Sequence, residues 1–408
     1  MESNYKYGEK MTLPSVSKYI TMNFVEMEVF YMIKTEISEI KKQFSEANCT
    51  ISKICACYVG GEKDKITQMR EAFLSLQEEE ATRYYQILRK GLSGTLGKNL
   101  INLEFPLEAE FTDGAQQFLL EVRDSHLEDD ELLEQFYDKI IEAYPYTQNY
   151  LILVIDCNYD VPGRTQDGLD MEDASTEVYH YIFCCLCPVK QSKPGLTYEP
   201  HENMFRNRIC DWIVDMPMNA FLFPAFTDRS TDLHSCLYYT KDSEKPFEDF
   251  VYTMLGCTMP IPAGFQKEAF QTIVTETLGG DCDLEVMKNI HETLYDMIEE
   301  HAEDPVPLVL DKAEVKNVLA KSGVSNENLE TFDQHFDNAV GAAAELMATN
   351  ITETRKFEVK TPDVVIKVNP ERSDLVETKI IDGRKYLLIE VGSNIQVNGV
   401  ALSAGSEE

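Results

Sequence analysis

Positive charge is what this chain lacks. Its 408 residues carry 37 Lys and Arg against 71 Asp and Glu, a formal net charge of −34. The shortage is local. Residues 1–100 hold 14 bases and 13 acids, residues 101–350 hold 15 and 48, and residues 351–408 hold 8 and 10. A middle block at net −33 is excluded as a general nucleic-acid-binding surface, because phosphate binding needs clustered Lys and Arg.

Long apolar runs are missing too. No stretch reaches the roughly 18 uninterrupted apolar residues of a membrane span. Glu2, Lys6, Glu9 and Lys10 mix both signs at the start with no apolar segment behind them, which is not a secretory signal. Internal repeats and low-complexity segments are absent. The eleven cysteines are an odd number scattered through apolar runs such as Ile54-Cys55-Ala56-Cys57, which excludes a small disulfide scaffold. Free cysteines of this kind pack as small hydrophobes, so a reducing cytoplasm is expected. Disorder is excluded by 20 Phe and 20 Tyr, since acidic disordered chains are poor in aromatics.

What is present reads as an α+β protein of roughly two or three domains. Residues 1–31 carry little pattern and read as a poorly structured extension, with Met32 as the natural start. Ile33, Ile37, Ile40 and Phe44 then recur at helical spacing. Residues 51–59 alternate and stop at Gly60-Gly61, a strand and a turn. Ser75 and Glu78 have capping-box spacing ahead of a helix through Lys90 that Gly91 ends. A further helix is predicted over 128–143, with acids at its N-terminus. The runs 149–157 (NYLILVIDC) and 179–189 (YHYIFCCLCPV) read as buried strands around an acidic loop with Asp160, Asp167, Asp170, Glu172 and Asp173. Residues 221–223 and 237–239 add strands. These elements form a mixed α/β domain over 32–245. A helical region covers 246–350, with Asp304-Pro305-Val306-Pro307 as an internal boundary. A small β-meander domain covers 351–408, its turns at Asp382-Gly383 and Asn398-Gly399 and a short disordered tail at its end.

No chemical motif is complete. Gly91, Gly94, Gly97 and Lys98 suggest a phosphate loop, but position 99 is Asn and a helix precedes it, so a Gly-rich helix stop is preferred. Cys184 and Cys187 have CxxC spacing without a second knuckle, so buried strand cysteines are preferred over zinc. Pro362-Asp363 with Glu377-Thr378-Lys379 has the spacing of a metal-dependent nuclease but lacks the continuing core. Ser230, Asp232 and His234 alternate, and would share one face of a strand with Arg229 beside them. Such neighbours seldom build a nucleophile and its base.

Several strings carry a resemblance: 47–61 (ANCTISKICACYVGG), 92–106 (LSGTLGKNLINLEFP), 116–123 (QQFLLEVR), 221–239 (FLFPAFTDRSTDLHSCLYY) and 253–257 (TMLGC). From Met32 onward the chain resembles a bacterial family known as domain of unknown function 4317. A more distant likeness rests on the order of elements. Ala143-Tyr144-Pro145-Tyr146 precedes a strand, and Phe250, Leu255, Gly256 and Gln266 follow in turn. This order is similar to the 37-kDa nucleoid-associated protein family, whose members bind DNA, some interacting with topoisomerase. That likeness implies a binding protein.

Two function classes therefore stand. A binding protein is preferred over an enzyme. It would meet a DNA-handling protein partner through its acidic block, or DNA through a local basic surface, either Lys90 and Lys98 or the terminal sheet with Lys367, Lys379, Arg384 and Lys385; a homo-oligomeric scaffold is a further reading. The alternative is a metal-dependent hydrolase or nuclease built from the 160–173 acids with Asp160, Arg229, Asp232 and His234. No motif calls for a cofactor or a bound metal, and none is expected.

Overall fold

In the computed structural model, which describes residues 31–106, 114–164, 170–391, 396–397 and 400–401, the chain opens with helix α1 (Lys34–Lys42). Its stripe Ile37, Ile40 and Phe44 is buried, and the Ile33 N–H donates to the Glu36 carboxylate at 2.8 Å. Strands β1 (Ile51–Val59) and β2 (Lys65–Ala72) follow. Helix α2 spans Glu78–Gly91 and has Gln77 at its N-cap. The expected Ser75–Glu78 box does not form, because a 3-10 turn takes Phe73–Ser75 and the Ser75 hydroxyl donates back to the Ala72 carbonyl.

Strand β3 (Leu100–Glu104) is followed by helices α3 (Ala115–Asp124) and α4 (Asp130–Ala143). The Asp129 carboxylate accepts the Leu132 N–H, an N-cap worth about 1 kcal/mol. Long strands β4 (Tyr150–Arg164) and β5 (Asp170–Gln191) pair as one hairpin. The expected acidic loop is therefore mostly strand. Asp160 pairs with Val178, Asp170, Glu172 and Asp173 belong to β5, and Asp167 lies outside the described residues. Short strands follow: β6 (Leu196–Glu199), β7 (Met204–Asn207), β8 (Trp212–Val214), β9 (Asn219–Phe223), β10 (Ala225–Thr227), β11 (Ser230–Asp232) and β12 (Ser235–Thr240).

The main sheet is antiparallel in the order β2-β1-β4-β5-β9-β12-β3, with β8 on the far end of β5. Helices cover both of its faces, and this explains the unbroken apolar runs. Ile152, Val154, Ile182 and Cys184 point to a core shared with α3 and α4. Leu153, Ile155, Phe183 and Cys185 point to a second core shared with α1 and α2. Antiparallel sheets with one wet face show alternation instead. Cys184 and Cys187 fall into opposite cores, so they cannot share a metal ion. Gly91 sits where α2 meets the sheet. A Cβ there would lie 2.8 Å from Phe183 Cζ and 3.1 Å from Ala220 Cβ.

The rest is helical: α5 (Glu248–Phe250) running into a π-turn, α6 (Ala263–Leu278) and α7 (Leu284–Glu300). Then come β13 (Val309–Leu310), α8 (Lys312–Lys321), α9 (Asn326–Glu330), α10 (Phe332–Val340), β14 (Leu346–Met347) and α11 (Ala348–Ile351). Phe270, Ile273, Ile290, Leu294, Val315 and Phe336 build a third core here. Buried Gln266 ties α6 to β14, and buried Asn350 ties this core to the sheet domain. Gln266 Oε1 accepts the Met347 N–H at 2.8 Å, and Asn350 Nδ2 donates to the Gly97 carbonyl at 3.1 Å.

The C-terminal β-unit consists, among the described residues, of small hairpins. β15 (Phe357–Lys360) pairs β16 (Val365–Val368), β17 (Val376–Ile381) pairs β18 (Arg384–Ile389), and β19 (Gln396–Val397) pairs β20 (Val400–Ala401). Asp382 and Gly383 have φ of 50° and 76°, as a type I′ turn requires. Asn398-Gly399 lies outside the described residues. Among the described residues no helix is long and apolar enough to cross a membrane.

Candidate functional site

The nominated Ser230, Asp232 and His234 do not share one strand. Ser230 and Asp232 lie on β11, and the chain turns before β12 begins at Ser235. Each already has local work. The Ser230 hydroxyl donates to Glu177 at 2.7 Å and the Thr231 N–H to the same carboxylate at 3.0 Å. Burial pushes the Glu177 carboxyl up, but those bonds outweigh it and leave it below its ordinary range. Asp232 accepts the His234 N–H at 2.9 Å.

Arg229 stands with Asp228 in the two-residue turn joining β10 and β11, at φ of 55° and 50°. Its guanidinium grips Glu39 of α1, with Nη2 2.8 Å from Oε1 and Nε 3.2 Å from both oxygens. The anion that Arg229 holds is thus a carboxylate of the chain itself. Tyr159 also donates to Glu39 at 2.9 Å. Neighbouring Glu36 is buried, and that burial raises its carboxyl above the ordinary range against bonds from Ile33 and Arg229. Asp160 is exposed on β4.

The nominated bases lie on separate elements. Lys379 and Arg384 lie on one face of the β17–β18 hairpin and Lys385 on the other, by the pairing Lys379↔Tyr386, Ile380↔Lys385 and Ile381↔Arg384. Lys367 is on a separate hairpin, 3.5 Å from Glu358. Lys98 is half-buried in the turn before β3. Lys90, at the end of α2, has its ammonium 5.9 Å from the Tyr239 ring centroid. A basic cluster does gather there. Burial, then Arg89 and Lys90, lower the Lys41 ammonium below its usual range, and Lys41 donates to Ser93 at 2.6 Å.

A polar cluster that no local sequence motif marks sits on the α3/α4 face of the sheet. Asp156 is buried on β4. His180, on β5, is diagonal to it across the pair Asp156↔Ile182, and its Nε2 lies 2.6 Å from Asp156 Oδ1. His126, in the turn after α3, places Nδ1 3.4 Å from Oδ2. The two imidazoles stack with centroids 4.3 Å apart and planes 18° apart. Such a buried carboxylate needs its partners, because a lone buried charge is costly.

An arm between β5 and β9 exposes apolar side chains. β8 lies against the end of β5, and β6 pairs β7 as a projecting hairpin. Leu196 is 74% exposed, Phe205 68%, Ile209 82% and Trp212 57%. The pairs Leu196↔Asn207 and Tyr198↔Phe205 put Leu196, Tyr198 and Phe205 on one face, with the Tyr198 and Phe205 rings 5.4 Å apart. Among residues 190–217 there are four bases and four acids, so the arm is neutral within the most acidic part of the chain.

The profile of a family described as a domain of unknown function (DUF4317) matches residues 32–400. The chain belongs to that family. No curated protein matches it, and no solved structure does. Nothing in these comparisons supports the likeness to nucleoid-associated proteins.

Proposed function

We propose that this member of the DUF4317 family is a binding protein that docks a protein partner through the 190–217 arm, and that the partner is a second copy of the chain. The carrying observation is the exposed apolar face of the β6–β7 hairpin. A two-stranded hairpin is marginal in water unless its face is covered, and contiguous exposed apolar surface marks interaction sites. Charge favours a second copy. Two chains at −34 repel over most of their surface, and the neutral arm is where they approach with the least opposition. Light scattering after size-exclusion chromatography tests this. Wild type is expected at twice the chain mass, and Phe205→Glu at the chain mass with unchanged circular dichroism. A monomeric wild type at tens of micromolar contradicts self-association.

A second reading is contact with a polyanion such as DNA, and one observation favours it. Lys41 lies near Arg89 and Lys90, and burial first, then those two charges, lower its ammonium. Such crowding is relieved by an anion, and affinity gained this way falls steeply with salt. A gel shift at low salt checks it. Retardation that is lost in Lys41→Ala/Arg89→Ala supports it, and no retardation at low salt rejects it.

A further inference from the structure

We propose that His126, Asp156 and His180 form a binding site for one divalent transition-metal ion of the zinc class. The three donors come from three separate segments: the turn after α3, strand β4 and strand β5. Their ligand atoms all lie within 4.8 Å of one another. Two imidazole nitrogens and one carboxylate oxygen suit first-row transition ions, zinc above all. Calcium and magnesium prefer shells of oxygen donors, and this site offers one carboxylate.

The dimensions fit with a small adjustment. Zinc binds nitrogen and oxygen at about 2.0–2.2 Å, so tetrahedral ligands sit roughly 3.3 Å apart. His126 Nδ1 already stands at that spacing from Asp156 Oδ2, at 3.4 Å. His180 Nε2 and Asp156 Oδ1, hydrogen-bonded at 2.6 Å, part to it and release the proton between them as the ion binds. The His126 side chain is 51% exposed. The exposed side leaves a fourth position for water, the arrangement of an open rather than a closed zinc site.

The backbone at His126 is a second observation. His126 and Leu127 are consecutive non-glycine residues at φ of 51° and 55°. Each such residue costs about 1–3 kcal/mol and persists only where the surroundings hold it. Here the strained turn drives Leu127 into the core and sets His126 over His180.

Full-length protein, stripped with a chelator and dialysed, is titrated with Zn²⁺ by calorimetry and with Co²⁺ by visible spectroscopy. Expected is one ion per chain with micromolar or tighter affinity and a Co²⁺ spectrum without a thiolate charge-transfer band. That band would report Cys49, Cys210 or Cys282, which are not buried. His180→Ala is expected to abolish binding. Exposed His126→Ala is expected to weaken it at least about tenfold with unchanged circular dichroism, and it decides the matter should His180→Ala fail to fold. No stoichiometric binding by wild type, equal binding by wild type and His126→Ala, or a thiolate band overturns the proposal.

Discussion

The Nε2 of His180 lies 2.6 Å from the Oδ1 of Asp156, on a carboxylate that is almost wholly buried. The contact joins the two longest strands of the sheet across a diagonal. It gives a charged residue a place inside a run that is otherwise apolar from Tyr150 to Cys157. The pair is therefore part of the fold whatever else it binds.

Removing the carboxylate should be costly. Asp156→Ala takes the acceptor from both imidazoles and opens a small void. A loss of about 2–3 kcal/mol is expected, read from urea unfolding of chelator-treated protein. Asp156→Asn keeps an acceptor for His180 and should lose less. An alanine variant as stable as wild type would contradict this account of the pair.

Arg229 tests the clamp between α1 and the β10–β11 turn. Arg229→Ala leaves the half-buried Glu39 carboxylate without its two-nitrogen partner, at a cost of about 1–3 kcal/mol. Arg229→Lys should recover only part, because a point charge cannot reproduce the fork. Full recovery by lysine in thermal unfolding would show that charge alone suffices.

Gly91 tests the seat of α2 on the sheet. The added methyl of Gly91→Ala would press on Phe183 and Ala220. Overpacking of this kind costs about 1–3 kcal/mol, despite the helix preference of alanine. A stabilised variant would mean that α2 can shift outward freely.

Strands β1, β4, β5, β9 and β12 were legible in sequence because their centres are β-rich and apolar, whereas β2, β3 and β8 were not. Ile51–Val59, Asn219–Phe223 and Ser235–Thr240 fall where alternation or aromatic runs place them. Helix α1 follows from 3.6-residue spacing, α4 from the acids at its N-terminus, and α2 from its stop at Gly91, although the capping box expected at its start does not form. The site was not legible. His126, Asp156 and His180 are brought together by pairing and by a turn that no local motif records. One signal was visible: Asp156 and His180 each interrupt an apolar run, in NYLILVIDC and YHYIFCC. The β4–β5 hairpin was cut short because acids at 160–173 mimic a loop, although Asp160 sits exposed within β4. In the C-terminal part, the Asp382-Gly383 turn was legible and joins β17 to β18.

Glu36 supplies a pH test. Burial raises its carboxyl in the folded chain above the ordinary value. The folded state then holds the proton longer than the unfolded one, so this group favours folding in acid and loses that contribution as pH rises through its folded value. Relative to wild type, Glu36→Gln should gain stability as pH climbs from the ordinary carboxylate range toward neutrality. Denaturant midpoints across that range measure it. A difference that is flat, or that shrinks as pH rises, would contradict it.

The central claim is that the 190–217 arm is covered by a second copy. Hydrogen exchange of the β6–β8 amides, followed by mass spectrometry at low and high protein concentration, tests it most directly. The account predicts exchange that slows on Leu196–Val214 as concentration rises, and no such slowing in Phe205→Glu. Arm exchange that is fast and independent of concentration in wild type would contradict it.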